Sequence, residues 1–100
     1  MTRLRIASAA RDDLRDIRIY SKSAFGAQAA RRYLDGLGAV FATLREHPLI
    51  GAAQDELGEG LPGFAYRSHR VYYRADGDDV LIVRILHHAR DAMRALEREQ

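Results

Sequence analysis

The sequence predicts an α+β domain in which a helical hairpin packs on one face of a small, mostly antiparallel sheet, in the order β-α-α-β-β-β-α. Three observations lead to this prediction. Apolar residues recur with helical spacing along two long segments in the first half of the chain. Segments with strand-like alternation follow in the second half. An acidic turn that contains glycine, Asp76–Asp79, separates the last two of these segments.

The first strand is predicted over residues 2–7, where arginines alternate with aliphatic residues. A helix is predicted over residues 9–24, with Ser8 as its N-cap and Gly26 as its terminator. Its apolar stripe comprises Ala10, Leu14, Ile17, Tyr20 and Ala24.

The second helix is predicted over residues 27–46, because apolar residues repeat every three or four positions up to Pro48. Gly36 and Gly38 lie in its middle, where each costs about 1 kcal/mol relative to alanine. We expect such glycines to allow close contact with the first helix. A loop rich in glycine and proline is predicted over residues 48–63.

Three strands are predicted in the second half of the chain, at Phe64–Arg67, Arg70–Ala75 and Val80–Leu86. Ser68 and His69 are expected to form the first connecting turn. The last element is a short helix over Ala92–Arg98.

Length and composition restrict the function. The chain has 100 residues, of which 47% are hydrophobic and 30% are charged, as expected for one globular domain over residues 1–100. It has no cysteine, which excludes disulfides, thiolate catalysis and cysteine-bound zinc. No apolar stretch approaches the roughly 18–20 residues of a membrane span, and no signal peptide is visible, so a cytoplasmic location without membrane contact is expected.

The predicted sheet has two chemically different faces. By two-residue periodicity, aliphatic and aromatic residues face the helices and arginines face away. The first set is Leu4, Ile6, Val71 and Tyr73, and the second is Arg3, Arg5, Arg70, Tyr72 and Arg74.

Arg84 interrupts the most apolar strand of the sequence. A guanidinium cannot be buried unpaired, so Arg84 has either an acidic partner, such as Asp91 or a chain terminus, or an open face. On an open face, Arg84 would share an apolar strip with Val80, Ile82 and Leu86, which would suit an amphipathic partner peptide.

The residue types support few kinds of catalysis. Adjacent His87 and His88 point to opposite faces of a strand, and no metal-ligand spacing occurs, so neither a metal nor a cofactor is expected. Cleavage of RNA without a metal needs a base, an acid and cations around the phosphate. Arg67, His69, Arg70, Arg74, Arg84 and His87 could supply these groups, although residue types alone favour a solvated basic face.

The combination of motifs resembles the RelE/ParE toxin superfamily, and most closely its ParE branch. The resemblance rests on the runs Ser68–Arg74 and Val83–Asp91 around the Asp76–Asp79 turn. In the N-terminal half the matching positions are Ala10, Asp13, Leu14, Ile17, Tyr20, Phe25, Gly26, Ala30, Tyr33, Leu37, His47, Pro48 and Gly51. The tail after Asp91 lacks the tyrosine that is typical of the ribonuclease branch.

This resemblance implies a toxin of a type II toxin–antitoxin system that binds and poisons DNA gyrase and is neutralised by a cognate ParD-like antitoxin. It implies no catalytic residue and no direct sequence-specific DNA binding by the toxin alone. The alternatives are a RelE-like ribosome-dependent mRNA endonuclease, for which Arg67, Arg74, Arg84 and His87 would be catalytic, and an inactive antitoxin-binding module. The expected antitoxin-binding residues are Tyr20, Phe25, Arg70, Tyr72, Arg74, Val80, Ile82, Arg84 and Leu86. The expected target-binding residues are Arg90, Arg94 and Arg98.

Overall fold

Two helices cover one face of a five-stranded sheet in the computed structural model of the chain, which describes residues 3–54 and 61–88. The elements are β1 (Arg3–Ile6), α1 (Ser8–Phe25), α2 (Ala27–Glu46), β2 (Ala52–Gln54), β3 (Leu61–Tyr66), β4 (His69–Asp76) and β5 (Asp79–His87). The sheet order is β1-β5-β4-β3-β2, and only the β1–β5 pair is parallel. The predicted α+β fold is confirmed. The predicted helix over Ala92–Arg98 lies outside the described residues.

Three residues with a positive φ lie in the connections between elements: Gly26, Gly77 and Arg67. Gly26 alone links the helices, with a φ of 93° that favours glycine, and Gly77 has a φ of 57° in the predicted acidic turn. The β3–β4 turn is formed by Arg67 and Ser68, one residue earlier than predicted, and Arg67 adopts a φ of 50°. This left-handed conformation is uncommon for a residue with a long side chain.

Three predicted boundaries were wrong. Ser8 does not cap α1, because the cap position is Ala7 and no side chain caps the helix. The predicted loop over residues 48–63 contains β2 and the first residues of β3, which begins at Leu61 instead of Phe64. β2 is a three-residue edge strand that pairs with the first residues of β3, and neither segment has a clear alternating pattern in the sequence.

The main core lies between the helices and the sheet. Its buried members are Ala10, Ile17, Leu37, Val40, Phe41, Leu44, Val71, Tyr73, Val80, Ile82 and Ile85, with Leu4 and Ile6 packed against them. The prediction that Leu4, Ile6, Val71 and Tyr73 face the helices is confirmed. Within the described residues, neither helix is long and apolar enough to span a membrane.

The predicted open strip of Val80, Ile82 and Leu86 was wrong. Val80 and Ile82 lie fully buried beneath the helices, whereas Leu86 is on the opposite face. The reason is a β-bulge: Tyr73 pairs with Ile82 and Tyr72 with Arg84, so Val83 is an extra residue. A bulge changes which side of the sheet the following residues occupy, so two-residue periodicity cannot be extended across it.

The opposite face of the sheet is less exposed than predicted. Tyr72 and Leu86 form a second buried cluster there with Leu61, and Val83 packs against it. Arg3, Arg5 and Arg74 are exposed, as predicted, whereas Arg70 is only half-exposed.

The Arg84 side chain forms an ion pair with Asp13 of α1. Its Nε and Nη2 donate to the two carboxylate oxygens of Asp13 at 2.8 and 3.0 Å, and the backbone N–H of Ile85 donates to Oδ2 of Asp13 at 2.9 Å. The Asp13 side chain is only 12% exposed. The β1–β5 pairing ends at Ile82, so no β1 residue accepts a hydrogen bond from the Ile85 N–H. The Asp13 carboxylate accepts this bond instead. The acidic partner found among the described residues is Asp13, whereas Asp91 and the chain termini lie outside those residues.

Asp13→Asn should therefore lower the free energy of unfolding by about 2–4 kcal/mol, because it leaves a half-buried guanidinium without its carboxylate. Asp16→Asn, at an exposed position of the same helix, should change it by no more than about 0.5 kcal/mol. Urea unfolding of the two variants measures the difference, and equal losses would contradict this role of Asp13.

Candidate functional site

A groove opens between the α1–α2 corner and the β3–β4 turn, with a volume of about 460 Å³. Aromatic and basic side chains dominate its walls, and we call it the aromatic groove. Its lining residues are Tyr20, Ser21, Phe25, Ala29, Arg32, Tyr33, Tyr66, Arg67, Ser68, His69 and His87. Both helices, strands β3, β4 and β5, and the β3–β4 turn contribute lining residues. The groove therefore exists only in the folded chain.

Three hydrogen-bonded rings form the base of the groove. The Tyr33 hydroxyl lies 2.6 Å from Nδ1 of His69, and the Tyr66 hydroxyl donates to the Tyr33 carbonyl oxygen at 3.2 Å. The Tyr33 ring packs edge-on against Tyr66 and His69, with centroids 5.0 and 5.5 Å away. Each polar atom of these half-buried tyrosines therefore has a partner, which holds the rings in fixed positions.

Gly36 of α2 makes this arrangement possible. A β-carbon at position 36 would overlap the Tyr66 ring and hydroxyl. Gly36 thus allows a close contact with β3, and not with α1 as predicted, while Gly38 has no atom of a neighbour near the position of its missing β-carbon.

Histidines extend the base of the groove along the sheet. His69 and His87 are paired across β4 and β5 with ring centroids 5.2 Å apart, and His87 stacks on His88 at 5.0 Å. In residues 3–54 and 61–88, no group of three or more acidic or histidine side chains is arranged to hold a metal ion.

The rim of the groove is apolar and basic. Tyr20 and Phe25 are 66% and 69% exposed, and their rings meet edge to face with centroids 6.3 Å apart. Arg32 also lines the groove, and the Arg67 guanidinium lies 5.9 Å from the centre of the Tyr66 ring. No acidic residue is among the described residues that line the groove. Such a surface can take aromatic or aliphatic side chains together with carboxylates.

The structure does not bring the ribonuclease residues together. Arg67 and His87 border the aromatic groove, but Arg84 is paired with Asp13 near the end of β1. Arg74 lies five residues along β4 from His69, a distance of about 16 Å in a strand.

The residues expected to bind antitoxin also occupy different environments. Tyr20 and Phe25 are exposed in the groove, and Arg74 is exposed and Arg70 half-exposed on the other face of the sheet. Val80, Ile82, Tyr72 and Leu86 are buried, so their side chains are not available to a partner while the fold is intact. Arg90, Arg94 and Arg98 lie outside the described residues.

The chain matches a known protein family over most of its length. The family model for the ParE toxin of type II toxin–antitoxin systems, parDE, matches residues 4–92. The chain belongs to the ParE toxin family. Its relatives in that family include Toxin ParE1 of Caulobacter vibrioides, which is 36% identical over 88 residues, or 88% of this chain and 91% of that protein. Toxin ParE1 of Mycobacterium tuberculosis is 30% identical over 96 residues, or 95% of this chain and 98% of that protein.

A solved structure supports the fold of this ParE-family chain. A chain of the chromosomal ParDE TA system from P. aeruginosa superposes with a TM-score of 0.75, covering 87% of this chain and 96% of that one. The two sequences are 19% identical, so the likeness concerns the fold alone.

Tyr33 and Arg32 line the groove, although the sequence did not single out either as a site residue. Tyr33 follows the apolar spacing of α2, which is typical of a core position, but a tyrosine hydroxyl needs a polar partner. That requirement was the one indication in the sequence. The partner, His69, is 36 residues away.

Gly36→Ala should lower the free energy of unfolding by about 1–3 kcal/mol, because the new methyl group displaces Tyr66. Gly38→Ala is the matched control and should raise it by about 0.5–1 kcal/mol through helix propensity alone. Urea denaturation measures both changes. Stabilisation by both substitutions would show that Tyr66 does not depend on the space at Gly36.

Burial raises the pKa of Tyr33 above the usual value of 10.0, and the nearby Tyr66 adds to this effect, while the Ser68 backbone and Arg67 act in the opposite direction. Tyr33 thus loses its proton more easily in the unfolded chain. Its contribution to stability is complete below about pH 10 and is lost as the pH rises through the folded-state pKa. Urea unfolding as a function of alkaline pH should show a steeper loss for the wild type than for Tyr33→Phe. The same loss in the wild type and in Tyr33→Phe would contradict the assignment.

Proposed function

We propose that this chain inhibits growth by binding and poisoning DNA gyrase, and that a cognate ParD-like antitoxin neutralises it by folding a segment into the aromatic groove. Membership of the ParE family supports both parts of the proposal. The observation that supports the docking site is the exposed Tyr20–Phe25 pair beside two arginines.

The aromatic rim favours a protein partner. Tyr20 and Phe25 are large and mostly exposed, and adjacent exposed aromatic side chains are typical of interaction sites. The hydrogen bonds of Tyr33 and Tyr66 hold the base in place, so little ordering of the groove is needed on binding. A folding segment would place apolar side chains between the rim and the base.

The charges of the groove favour an acidic segment. Arg32 and Arg67 lie at its edge, and no acidic residue is found among its described lining residues. Carboxylates on the antitoxin would increase the rate of association and select the orientation of the segment.

The separation of the basic residues favours a binding protein over a nuclease. Arg84 is paired with Asp13, and Arg74 lies five residues along β4 from His69, which is the residue that pairs with His87 of β5. A metal-free ribonuclease needs its acid, base and phosphate-binding cations within reach of one phosphate. Of the candidate residues, Arg67, His69 and His87 line one groove, whereas Arg74 and Arg84 are not among its lining residues.

Charge reversal in the groove tests the antitoxin site. Arg32→Glu should weaken antitoxin binding by about 1–3 kcal/mol, because the new carboxylate repels the acidic segment. Arg31→Glu, on the exposed surface of the same helix and outside the groove, is the matched control and should alter binding much less. Calorimetric titration of the purified variants with the antitoxin measures both. Equal effects of the two substitutions would contradict docking in the aromatic groove.

A supercoiling assay tests the target. The purified chain should block supercoiling by DNA gyrase and trap the enzyme on cleaved DNA, and addition of the antitoxin should reverse the block. Total mRNA from cells that express the chain should stay intact. Cleaved mRNA together with normal gyrase activity would favour the endonuclease, and unimpaired growth would favour an inactive antitoxin-binding module.

A further inference from the structure

The aromatic groove contains a buried hydroxyl group that has no hydrogen-bond partner among the described residues. Ser21 of α1 lines the groove and is only 8% exposed. Its side chain makes no hydrogen bond to any residue in the described part of the chain. A serine or threonine in a helix can donate to the carbonyl oxygen four residues earlier, as Thr43 does to Ala39 at 3.0 Å. Because a buried, unpaired hydroxyl destabilises a fold, the Ser21 hydroxyl indicates that a polar group of a ligand enters the groove.

The backbone of Arg67, on the β3–β4 turn, is a second and independent observation. Its φ of 50° lies in the left-handed region, which is unfavourable for a residue with a long side chain and favours glycine. Within the described residues, neither Arg67 nor Arg32 forms an ion pair with a carboxylate. Strained backbone conformations are concentrated at binding sites, and arginine is suited to binding phosphate through its planar guanidinium. The edge of the groove is therefore suited to an anion.

Aromatic rings form most of the remaining surface of the groove. Tyr20 and Phe25 meet edge to face, so each keeps at least one ring face that the other does not cover. The rings of Tyr33, Tyr66 and His69 form the base. The volume of about 460 Å³ is within the range of about 300–1,000 Å³ that is typical of small-molecule sites. The groove thus combines flat ring surfaces with one buried hydroxyl and two cations.

We propose that the aromatic groove binds a nucleoside 5′-monophosphate. The nucleobase stacks on the exposed rings, a polar group on its edge bonds the Ser21 hydroxyl, and the phosphate binds Arg32 and Arg67. An apolar side chain in the groove would leave the Ser21 hydroxyl unpaired, and inorganic phosphate would leave the ring surfaces unused. This binding does not depend on the proposed antitoxin site, although the two ligands compete for the same groove.

A single nucleotide fits this surface better than a nucleic-acid strand does. A strand needs a row of cations that follows several successive phosphates. Arg32 and Arg67 are the only arginine or lysine residues among the described residues that line the groove. Arg70 and Arg74 lie on the other face of the sheet and do not continue the site.

Calorimetric titration of the purified full chain with AMP, GMP, CMP and UMP tests the proposal. We expect saturable binding of at least one of them, and binding at least about tenfold weaker for the matching nucleoside and for inorganic phosphate. No saturable binding of any of the four would overturn the proposal. Binding about tenfold tighter for a single strand of about ten nucleotides would also overturn it, and would indicate a surface for nucleic acid. The antitoxin is absent from this titration, so its failure is distinguishable from failure of the antitoxin site, which Arg32→Glu tests with the antitoxin.

Two substitutions separate loss of the nucleotide site from loss of the fold. Ser21→Ala removes the unpaired hydroxyl and Arg67→Gly relieves the left-handed backbone, so both variants should unfold at the same urea concentration as the wild type or a higher one. Their affinity for the nucleotide should nevertheless fall, by about fivefold for Ser21→Ala and about tenfold or more for Arg67→Gly. Ser23→Ala, at an exposed position of the same helix and outside the groove, is the matched control and should bind within about twofold of the wild type. Wild-type affinity in either Ser21→Ala or Arg67→Gly would overturn the proposal.

Discussion

The contact between Asp13 and Arg84 determines how the helical hairpin lies on the sheet. One carboxylate accepts two hydrogen bonds from the guanidinium and one from the Ile85 backbone, so it fixes α1 at the point where β1 stops and the edge of β5 continues. The aromatic groove depends on this placement, because it needs the α1–α2 corner beside the β3–β4 turn.

A second buried polar group fixes the other end of the hairpin. The Tyr73 hydroxyl donates to the Pro48 carbonyl oxygen at 2.7 Å and accepts from the Gly51 N–H at 2.9 Å. Tyr73 is fully buried, so these bonds satisfy a hydroxyl that would otherwise destabilise the core. They also hold the turn after α2 where the chain enters β2. The aliphatic core supplies most of the driving force for folding. The Asp13–Arg84 pair and the Tyr73 hydrogen bonds favour one position of the helices on the sheet.

The sequence predicted what local periodicity and turn chemistry determine. The bounds of α2, the end of α1 at Gly26 and the acidic β4–β5 turn all follow from residues within one or two turns of the chain. The bulge at Val83 and the partner of Arg84 could not be predicted this way, because the first is a property of strand pairing and the second joins residues 71 positions apart. The same limit applies to the site. Tyr20 and Phe25 were expected to bind the antitoxin, although Tyr20 also falls in the predicted apolar stripe of α1 and is in fact exposed. The Tyr33–His69 contact depends on tertiary structure.

We propose that the partner-binding surface lies on the flanks of the helical hairpin, because the bulge and the second apolar cluster leave little of the open sheet face available. Hydrogen–deuterium exchange of the full chain, alone and in complex with its antitoxin, tests this most directly. The account predicts new protection at the C-terminal turn of α1, the first turns of α2 and the Arg67–Ser68 turn. Protection confined to β4 around Arg74, with the hairpin unchanged, would contradict it.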